Sequence, residues 1–172
     1  MSQDTYIATL TTGVRTPELT TFFSSVTHLG DVAVVAPIVV FMFLALVLGR
    51  RRRYEKILFL TSLGSMTLTW ALKFLIARPR PVDIPALIIE HYYSFPSAHA
   101  AASAALYGFC IYLVWQSGLS RPVRLLLTTF FALVVLAVGV SRIYLGVHYF
   151  SDVLVGWAIG AVCVLLCTRY AR

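Results

Sequence analysis

Charged residues are scarce in this 172-residue sequence, in which Asp, Glu, Lys and Arg together make up 12% and apolar residues 59%. A soluble domain usually carries about 25% charged residues. The mean hydropathy of +0.84 likewise indicates a protein that lies in a lipid bilayer. The composition therefore excludes an ordinary soluble domain. The length fits one integral-membrane domain over residues 1–172, without room for a second.

Cysteine is also scarce, and its placement excludes a disulfide framework. The chain has three cysteines, Cys110, Cys163 and Cys167, and each lies inside an apolar run. Cys163 and Cys167 share a helix face with no histidine beside them, which favours packing as small apolar side chains over metal binding. The N-terminus lacks a basic segment followed by a long apolar core, so we expect no cleavable signal peptide.

Five apolar stretches approach the length of a membrane span, which needs about 20 residues. They cover residues 32–48, 57–76, 98–115, 124–140 and 153–168. Segments rich in Arg, Pro, Gly or Ser separate them. The sequence thus predicts an all-α protein, a polytopic transmembrane helical bundle of about five spanning helices within residues 31–172.

Residues 1–30 follow a different pattern. Thr16 is suited to a helix N-cap and Pro17 to the first helical position. Apolar residues then recur at helical spacing as far as Val26, and Gly30 follows near the expected end. This pattern predicts a short amphipathic helix that lies at the membrane interface and is not a sixth span.

The basic residues are divided unequally between the two sides of the predicted bundle. One side holds nine of them, Arg50, Arg51, Arg52, Arg53, Lys56, Arg121, Arg124, Arg169 and Arg172. The other side holds five, Arg15, Lys73, Arg78, Arg80 and Arg142. The positive-inside rule places the set of nine in the cytoplasm. The formal net charge of +7 is then explained by topology and anionic lipid, and we expect no nucleic-acid partner.

The side with fewer basic residues carries most of the other titratable groups. All four histidines and six of the seven acidic residues fall there, Glu55 being the exception. Charges near a bilayer core cost about 2.5–3.5 kcal/mol each on insertion scales, so a cluster of them calls for a functional explanation. Any chemistry is therefore expected at the extracytoplasmic face.

The first polar motif is KFLIARPRP, residues 73–81. Its prolines disfavour helix in the residues that precede them, so the helix should end near Ala77. Lys73 then lies on the last helical turn and Arg80 on a strap that can fold back toward it. A lysine near a helix C-terminus is also favoured by the helix dipole and by snorkelling, and this alternative for Lys73 stays open.

The second motif is SFPSAH, residues 94–99. Pro96 indicates a helix start, which places the N–H groups of Ser97 and Ala98 at a helix N-terminus. Unpaired donors and the helix dipole make such an end suitable for an anion. His99 follows in the first turn and can donate a proton to a bound group. A serine in this position is more commonly a plain N-cap.

The third motif is SRIYLGVHYFSD, residues 141–152. His148 and Asp152 are four residues apart, so on a helix that begins near His148 they share a face. The carboxylate can then accept the Nδ1–H of the imidazole and leave Nε2 free as a nucleophile or base. Arg142 is a planar, permanently charged donor suited to phosphate. An ordinary surface His–Asp pair is the alternative.

Together the three motifs supply cations, helix N–H donors, an acid and an oriented imidazole. This set fits phosphoryl transfer, in which positioning and charge stabilisation dominate, and we expect neither a metal ion nor another cofactor. Four loop residues are interpreted as solvated charges, with a part in headgroup choice as the alternative: Arg78, Asp83, Glu90 and His91. The oligomeric state is left open.

The three motifs resemble the signature of the type 2 phosphatidic acid phosphatase superfamily, K-x6-R-P, P-S-G-H and S-R-x5-H-x3-D, in the same order over residues 73–152. The resemblance implies that phosphate is held by Lys73, Arg80, Ser97, Ala98 and Arg142. It also implies that His148 attacks phosphorus to form a phosphohistidine, that Asp152 orients His148, and that His99 protonates the leaving group.

Two features depart from the superfamily pattern. Ala98 replaces the usual glycine, and because alanine tolerates helical dihedrals we expect a subtle change with activity retained. Membrane members usually have six spans, whereas five are predicted here, the missing one being the first.

The sequence therefore predicts a phosphatase of the bacterial inner membrane that acts on a lipid phosphate or pyrophosphate at the extracytoplasmic face. Undecaprenyl pyrophosphate and phosphatidylglycerol phosphate fit best, and phosphatidic acid and lipid A phosphates are further candidates. A transporter or flippase that binds an anionic headgroup without cleaving it is the main alternative. A non-catalytic scaffold is disfavoured by the His148–Asp152 spacing, and a soluble haloperoxidase with the same motifs by the predicted spans.

Overall fold

The computed structural model describes residues 3–82 and 84–170. Two residues that the sequence analysis named among the charged residues, Asp83 and Arg172, lie outside these ranges. The described residues form seven α-helices and one 3-10 turn. They are α1 (Gln3–Gly13), α2 (Pro17–Thr27), the turn His28–Gly30, α3 (Val32–Leu48), α4 (Arg52–Ile76), α5 (Ala98–Gln116), α6 (Arg121–Tyr144) and α7 (Phe150–Tyr170). The prediction of an all-α protein is confirmed.

Each apolar stretch of the sequence lies within one helix, from α3 to α7. Among the described residues, four helices, α4 to α7, are long and apolar enough to cross a membrane. A fifth crossing results if Pro17–Gly30 and α3, which meet at a bend of 40°, form one broken span. The prediction of about five spanning helices is therefore confirmed.

Local signals set several helix ends where the sequence predicted them. Thr16 caps α2, where its hydroxyl accepts the Leu19 N–H at 3.2 Å. Helix α4 ends at Ile76 because Ala77 adopts a left-handed conformation with φ of 48°, ahead of the proline-rich strap. Helix α1 was not predicted from the sequence; its threonine hydroxyls bond its own backbone carbonyls, as the Thr9 hydroxyl does to Thr5 at 2.9 Å.

Helix α5 is the centre of the bundle and packs against α3, α4, α6 and α7. Small residues allow α7 to approach it closely. A Cβ atom at Gly156 would lie 2.6 Å from the Ser97 carbonyl oxygen, and one at Gly160 the same distance from that of Ala101. This contact sets the start of α7 beside the start of α5.

One end of the bundle, here named the motif end, gathers the C-termini of α4 and α6 with the N-termini of α5 and α7. The strap between α4 and α5 lies across it, held by bonds from the Ser94 N–H to the Arg78 carbonyl (2.8 Å) and from the Leu87 N–H to the Leu145 carbonyl (2.9 Å). Gly146, with φ of +76°, makes the turn that leads from α6 toward α7.

Candidate active site

The motif end brings the three sequence motifs to one groove. Lys73, Arg80, His99 and His148 all line it, with Ala98 beside them. The groove has a volume of about 840 Å³, and its remaining walls are mostly apolar side chains of α3, α4 and α5. Residues that are distant in the sequence thus meet at the polar end of a largely apolar cleft.

His148 is buried and has charged partners on both sides of its ring. Its Nε2 lies 3.4 Å from Nη1 of Arg80, and its Nδ1 lies 3.5 Å from Oδ2 of Asp152. Because a guanidinium only donates, Nε2 must be the accepting nitrogen, which assigns the proton to Nδ1. The tautomer is therefore the one with its lone pair on the side of Arg80.

The surroundings of His148 keep its ring neutral. Burial lowers its pKa well below the ordinary value for histidine, and the positive charges of Arg142 and Arg80 lower the pKa further. An imidazole in this state keeps Nε2 unprotonated at physiological pH.

Asp152 is fully buried, and its position differs from the predicted one in one respect. Helix α7 begins at Phe150, two residues after His148, so His148 lies just outside the helix. Oδ2 of Asp152 accepts the Tyr149 N–H at 2.9 Å, as the acidic residue in the third position of a helix often does. The same oxygen faces Nδ1 of His148, so the two side chains meet although they do not share a helix face.

His99 lies in the first turn of α5, as predicted. Its Nε2 is 3.8 Å from Oδ2 of Asp31, whose other carboxylate oxygen accepts the Ala33 N–H and caps α3. The sequence showed no sign of this partner, because Asp31 lies 68 residues away, outside all three motifs. Asp31 also lines the groove.

Ser97 and Ala98 form the helix start that the second motif predicted. Ser97 is fully buried and caps α5, where its hydroxyl accepts the Ala100 N–H. Its own N–H, predicted to be free for an anion, donates instead to the Asp152 carbonyl at 3.0 Å. Ala98 is the first residue of α5 and takes up helical structure, as expected for alanine in place of glycine.

Lys73 does not snorkel toward solvent. The residue is 3% exposed, and its ammonium donates to the carbonyls of Tyr93 (2.6 Å) and Pro96 (3.0 Å). These bonds tie the last turn of α4 to the strap just before the start of α5. The charge is thereby held inside the groove.

Arg80 folds back from the strap over the site. Its Nε donates to the Tyr92 carbonyl at 2.8 Å and its Nη1 to the Val147 carbonyl at 2.7 Å. The second bond fixes the guanidinium against the segment that carries His148.

Glu90 joins the two arginines of the site. Its carboxylate pairs with Nη2 of Arg80 at 3.6 Å and accepts a hydrogen bond from Nη2 of Arg142. Arg142 is 1% exposed, and its Nη1 donates to the Thr27 hydroxyl at 2.8 Å. Burial tends to raise the pKa of Glu90, but the charges of Arg142 and Arg80 outweigh it and hold the pKa below its usual value. The Glu90 carboxylate thus lies between two guanidinium groups that are predicted to bind phosphate.

The interpretation of the loop charges as solvated is wrong for Arg78 and Glu90. Arg78 donates to Asp152 and Asp4 and lies over the Tyr149 ring, 4.0 Å from its centroid. His91 is exposed, as expected, and Asp83 lies outside the described residues. No spacing rule relates these strap charges to their partners, so the sequence offered no signal for them.

The sequence profile of the type 2 phosphatidic acid phosphatase (PAP2) superfamily matches residues 55–172. The chain is 30% identical to phosphatidylglycerophosphatase B of Bacillus subtilis over 167 residues, 96% of this chain and 81% of that protein. It is 36% identical to the decaprenylphosphoryl-5-phosphoribose phosphatase of Mycobacterium tuberculosis over 121 residues, 68% of this chain and 61% of that protein.

Two solved structures share the fold. The PAP2-type phosphatidylglycerolphosphate phosphatase from Bacillus subtilis superposes with a TM-score of 0.87 at 28% identity, over 97% of this chain and 83% of that one. LpxE from Aquifex aeolicus superposes with a TM-score of 0.80 at 27% identity, over 99% of this chain and 97% of that one.

Fold and site together define an integral membrane hydrolase of the lipid phosphatase class. The chain belongs to the PAP2 superfamily.

Proposed function

We propose that the protein, acting as a single domain over residues 1–172, removes the terminal phosphate of a membrane lipid by way of a phosphohistidine at His148. The observation that carries this proposal is the position of His148 and Arg80 at the polar end of the apolar groove. An acyl or prenyl chain fits the apolar walls, while the phosphate reaches the charged end.

The first step transfers the phosphoryl group to the protein. Nε2 of His148 attacks phosphorus, and the bond from phosphorus to the leaving oxygen breaks in line. Lys73, Arg80 and Arg142 supply positive charge for the phosphoryl oxygens, with the hydroxyl of Ser97 and the N–H of Ala98 at the N-terminus of α5. His99 gives its proton to the leaving alcohol or phosphate.

The second step regenerates the enzyme. His99, now neutral, takes a proton from a water molecule as its oxygen attacks phosphorus, and the bond from Nε2 to phosphorus breaks. Inorganic phosphate leaves, and His148 returns to the neutral tautomer that Asp152 faces. The two steps need no net proton uptake by the protein.

Phosphatidylglycerol phosphate and undecaprenyl pyrophosphate are the proposed substrates. The relatives support both kinds of lipid, since phosphatidylglycerophosphatase B is named for a glycerolipid and the mycobacterial phosphatase for a prenyl lipid. The apolar side chains that line most of the groove suit the hydrocarbon of either lipid.

We propose further that the motif end faces away from the cytoplasm of a bacterial inner membrane. The run Arg50–Arg53 covers the turn after α3 and the first two residues of α4, and α6 begins at Arg121, both at the end opposite the motifs. The positive-inside rule assigns that basic end to the cytoplasm. Hydrolysis of a membrane-impermeant phosphate ester by intact cells would support this orientation, and hydrolysis only after cell lysis would reject it.

Inorganic phosphate release from a panel of lipid phosphates and pyrophosphates, in detergent micelles containing EDTA, tests the proposed function. Release from at least one lipid with EDTA present is expected. Binding without release from any lipid would favour a transporter or flippase, and loss of release on EDTA addition would reject the metal-independent mechanism.

A further inference from the structure

A second charged network lies behind Asp152, on the side away from His148. Its centre is Arg78, a residue of the first motif that the superfamily signature leaves unspecified. Nη1 of Arg78 donates to Oδ1 of Asp152 at 2.8 Å and to the Ser151 hydroxyl at 2.7 Å. The guanidinium thus spans the first turn of α7.

Helix α1 supplies the outer anchor of this network. Nη2 of Arg78 donates to Oδ2 of Asp4 at 2.9 Å. Asp4 also accepts the N–H and the hydroxyl of Ser151, at 2.9 and 2.6 Å. The hydrogen bonds from Ser151 and Arg78 outweigh the effect of burial and hold the pKa of Asp4 below its usual value, so Asp4 is ionised.

These contacts produce a chain of alternating charge, Asp4–Arg78–Asp152–His148. Both oxygens of the buried Asp152 carboxylate are engaged, Oδ1 by Arg78 and Oδ2 by the Tyr149 N–H, with Nδ1 of His148 beyond Oδ2. Arg78 therefore fixes the rotation of the carboxylate. It also offsets part of the negative charge that the imidazole experiences.

We propose that Arg78, anchored from α1 by Asp4, is a positioning residue for lipid phosphate hydrolysis: it fixes the Asp152 carboxylate against His148 and balances its charge. The inference rests on the proposed role of His148 as nucleophile. It also assigns a purpose to α1, which lies outside the spanning helices and carries no motif residue.

The sign of the effect follows from the groups that face His148. These are the cations Lys73, Arg80 and Arg142, the imidazole of His99, and the carboxylate of Asp152. Removing Arg78 leaves the Asp152 charge uncompensated, which favours the imidazolium and raises the pKa of His148. Since the nucleophile must be neutral, the acid limb of the pH profile of kcat/KM then moves to higher pH.

The test compares the pH profiles of kcat/KM for Arg78→Gln and Arg78→Lys with that of the wild type. All three are measured on the same lipid substrate, so that ionisation of the substrate affects each profile equally. Arg78→Gln is expected to raise the acid limb by about one pH unit, which lowers kcat/KM about tenfold on the acid side. Arg78→Lys keeps the positive charge, so its acid limb is expected to lie close to that of the wild type. An unchanged limb in Arg78→Gln would overturn the proposal.

Arg15→Gln is the matched control. Arg15 is another arginine of the motif end that donates to backbone carbonyls, those of Tyr144 and Pro85, and its bonds do not involve Asp152. Its loss is expected to lower thermal stability without moving the acid limb. A limb shifted equally by Arg15→Gln would show that the Arg78 effect is not specific, and would reject the proposal.

Asp4→Asn tests the charge sign and remains informative if Arg78→Gln fails to fold. The amide still accepts from Ser151, but the guanidinium beside Asp152 loses its outer counter-charge, so the limb is expected to move to lower pH. Shifts in the same direction for Asp4→Asn and Arg78→Gln would contradict the charge chain. His148→Ala separates the two proposals. If His148→Ala retains turnover, the assignment of His148 as nucleophile fails. If His148→Ala is inactive but the acid limbs of the Arg78 and Asp4 variants match the wild type, only the role of Arg78 is rejected.

Discussion

Nε2 of His148 lies 3.4 Å from Nη1 of Arg80, so the proposed nucleophile and a proposed phosphate-binding cation face the same point. A phosphoryl group that enters this point meets a lone pair on one side and a charge-assisted donor on the other.

His148→Ala and His99→Ala should both abolish phosphate release from lipid substrates, because the first removes the attacking atom and the second the acid for the leaving alcohol. Phosphate release and gel filtration in detergent measure activity and folding. An aryl phosphate distinguishes the roles, since nitrophenolate leaves without a proton: His99→Ala should release a burst of nitrophenolate and His148→Ala none. Normal lipid turnover by either variant would refute its role.

The acid limb of the kcat/KM profile should lie below the ordinary histidine pKa of about 6.5. Burial first, and then the charges of Arg142 and Arg80, lower the pKa of His148, so its neutral form persists to lower pH than that of an exposed histidine. The profile of kcat/KM reports the free enzyme and is the appropriate measurement. A limb on the alkaline side of that value would show that His148 is not the titrating nucleophile.

Glu90→Gln should strengthen inhibition by inorganic phosphate. The carboxylate pairs with both Arg80 and Arg142, so an incoming phosphate competes with it for the same donors. Removing its charge should lower the inhibition constant about tenfold, equivalent to about 1.4 kcal/mol. Glu55→Gln, the same change near the start of α4 at the opposite end of the bundle, should leave the constant unchanged. Weaker inhibition in Glu90→Gln would show that the carboxylate assists phosphate binding.

Gly156→Ala should destabilise the bundle and reduce activity together. The added Cβ would lie 2.6 Å from the Ser97 carbonyl oxygen, so α7 must move away from α5 and carry Asp152 with it. Overpacking of this kind typically costs about 1–3 kcal/mol. Thermal unfolding in detergent measures the loss. At Gly64, inside α4, the nearest atom to an added Cβ is Sγ of Cys163 at 3.7 Å, so Gly64→Ala should unfold at or above the wild-type temperature.

Much of the fold could be predicted because a bilayer imposes strong rules on sequence. A spanning helix must satisfy its own backbone hydrogen bonds, so apolar length alone locates α4 to α7. Proline and capping signals then placed the ends at Ala77 and Ser97. Helix α1 was missed because it has no apolar stripe of membrane length, and its stabilising partners lie on the strap and on α7.

The candidate site was predicted as a set of residue types but not as a geometry. His148 and Asp152 meet through a helix cap and not through a shared helix face, because α7 begins at Phe150, two residues after His148. Glu90 and Arg78 were interpreted as solvated charges, yet each pairs with a side chain at least 52 residues away. Ion pairs over such separations have no local pattern to reveal them.

By itself, then, the sequence determined that the chain is a membrane bundle with the motifs of its superfamily, because hydrophobic length and motif spacing are local properties that a linear reading preserves. Tertiary structure alone decided how the charges are paired: Arg78 with Asp4 and Asp152, and Glu90 with both Arg80 and Arg142. The physical reason is that a buried charge takes whichever counter-charge the packing of the helices brings within reach, and only the folded chain specifies that neighbour.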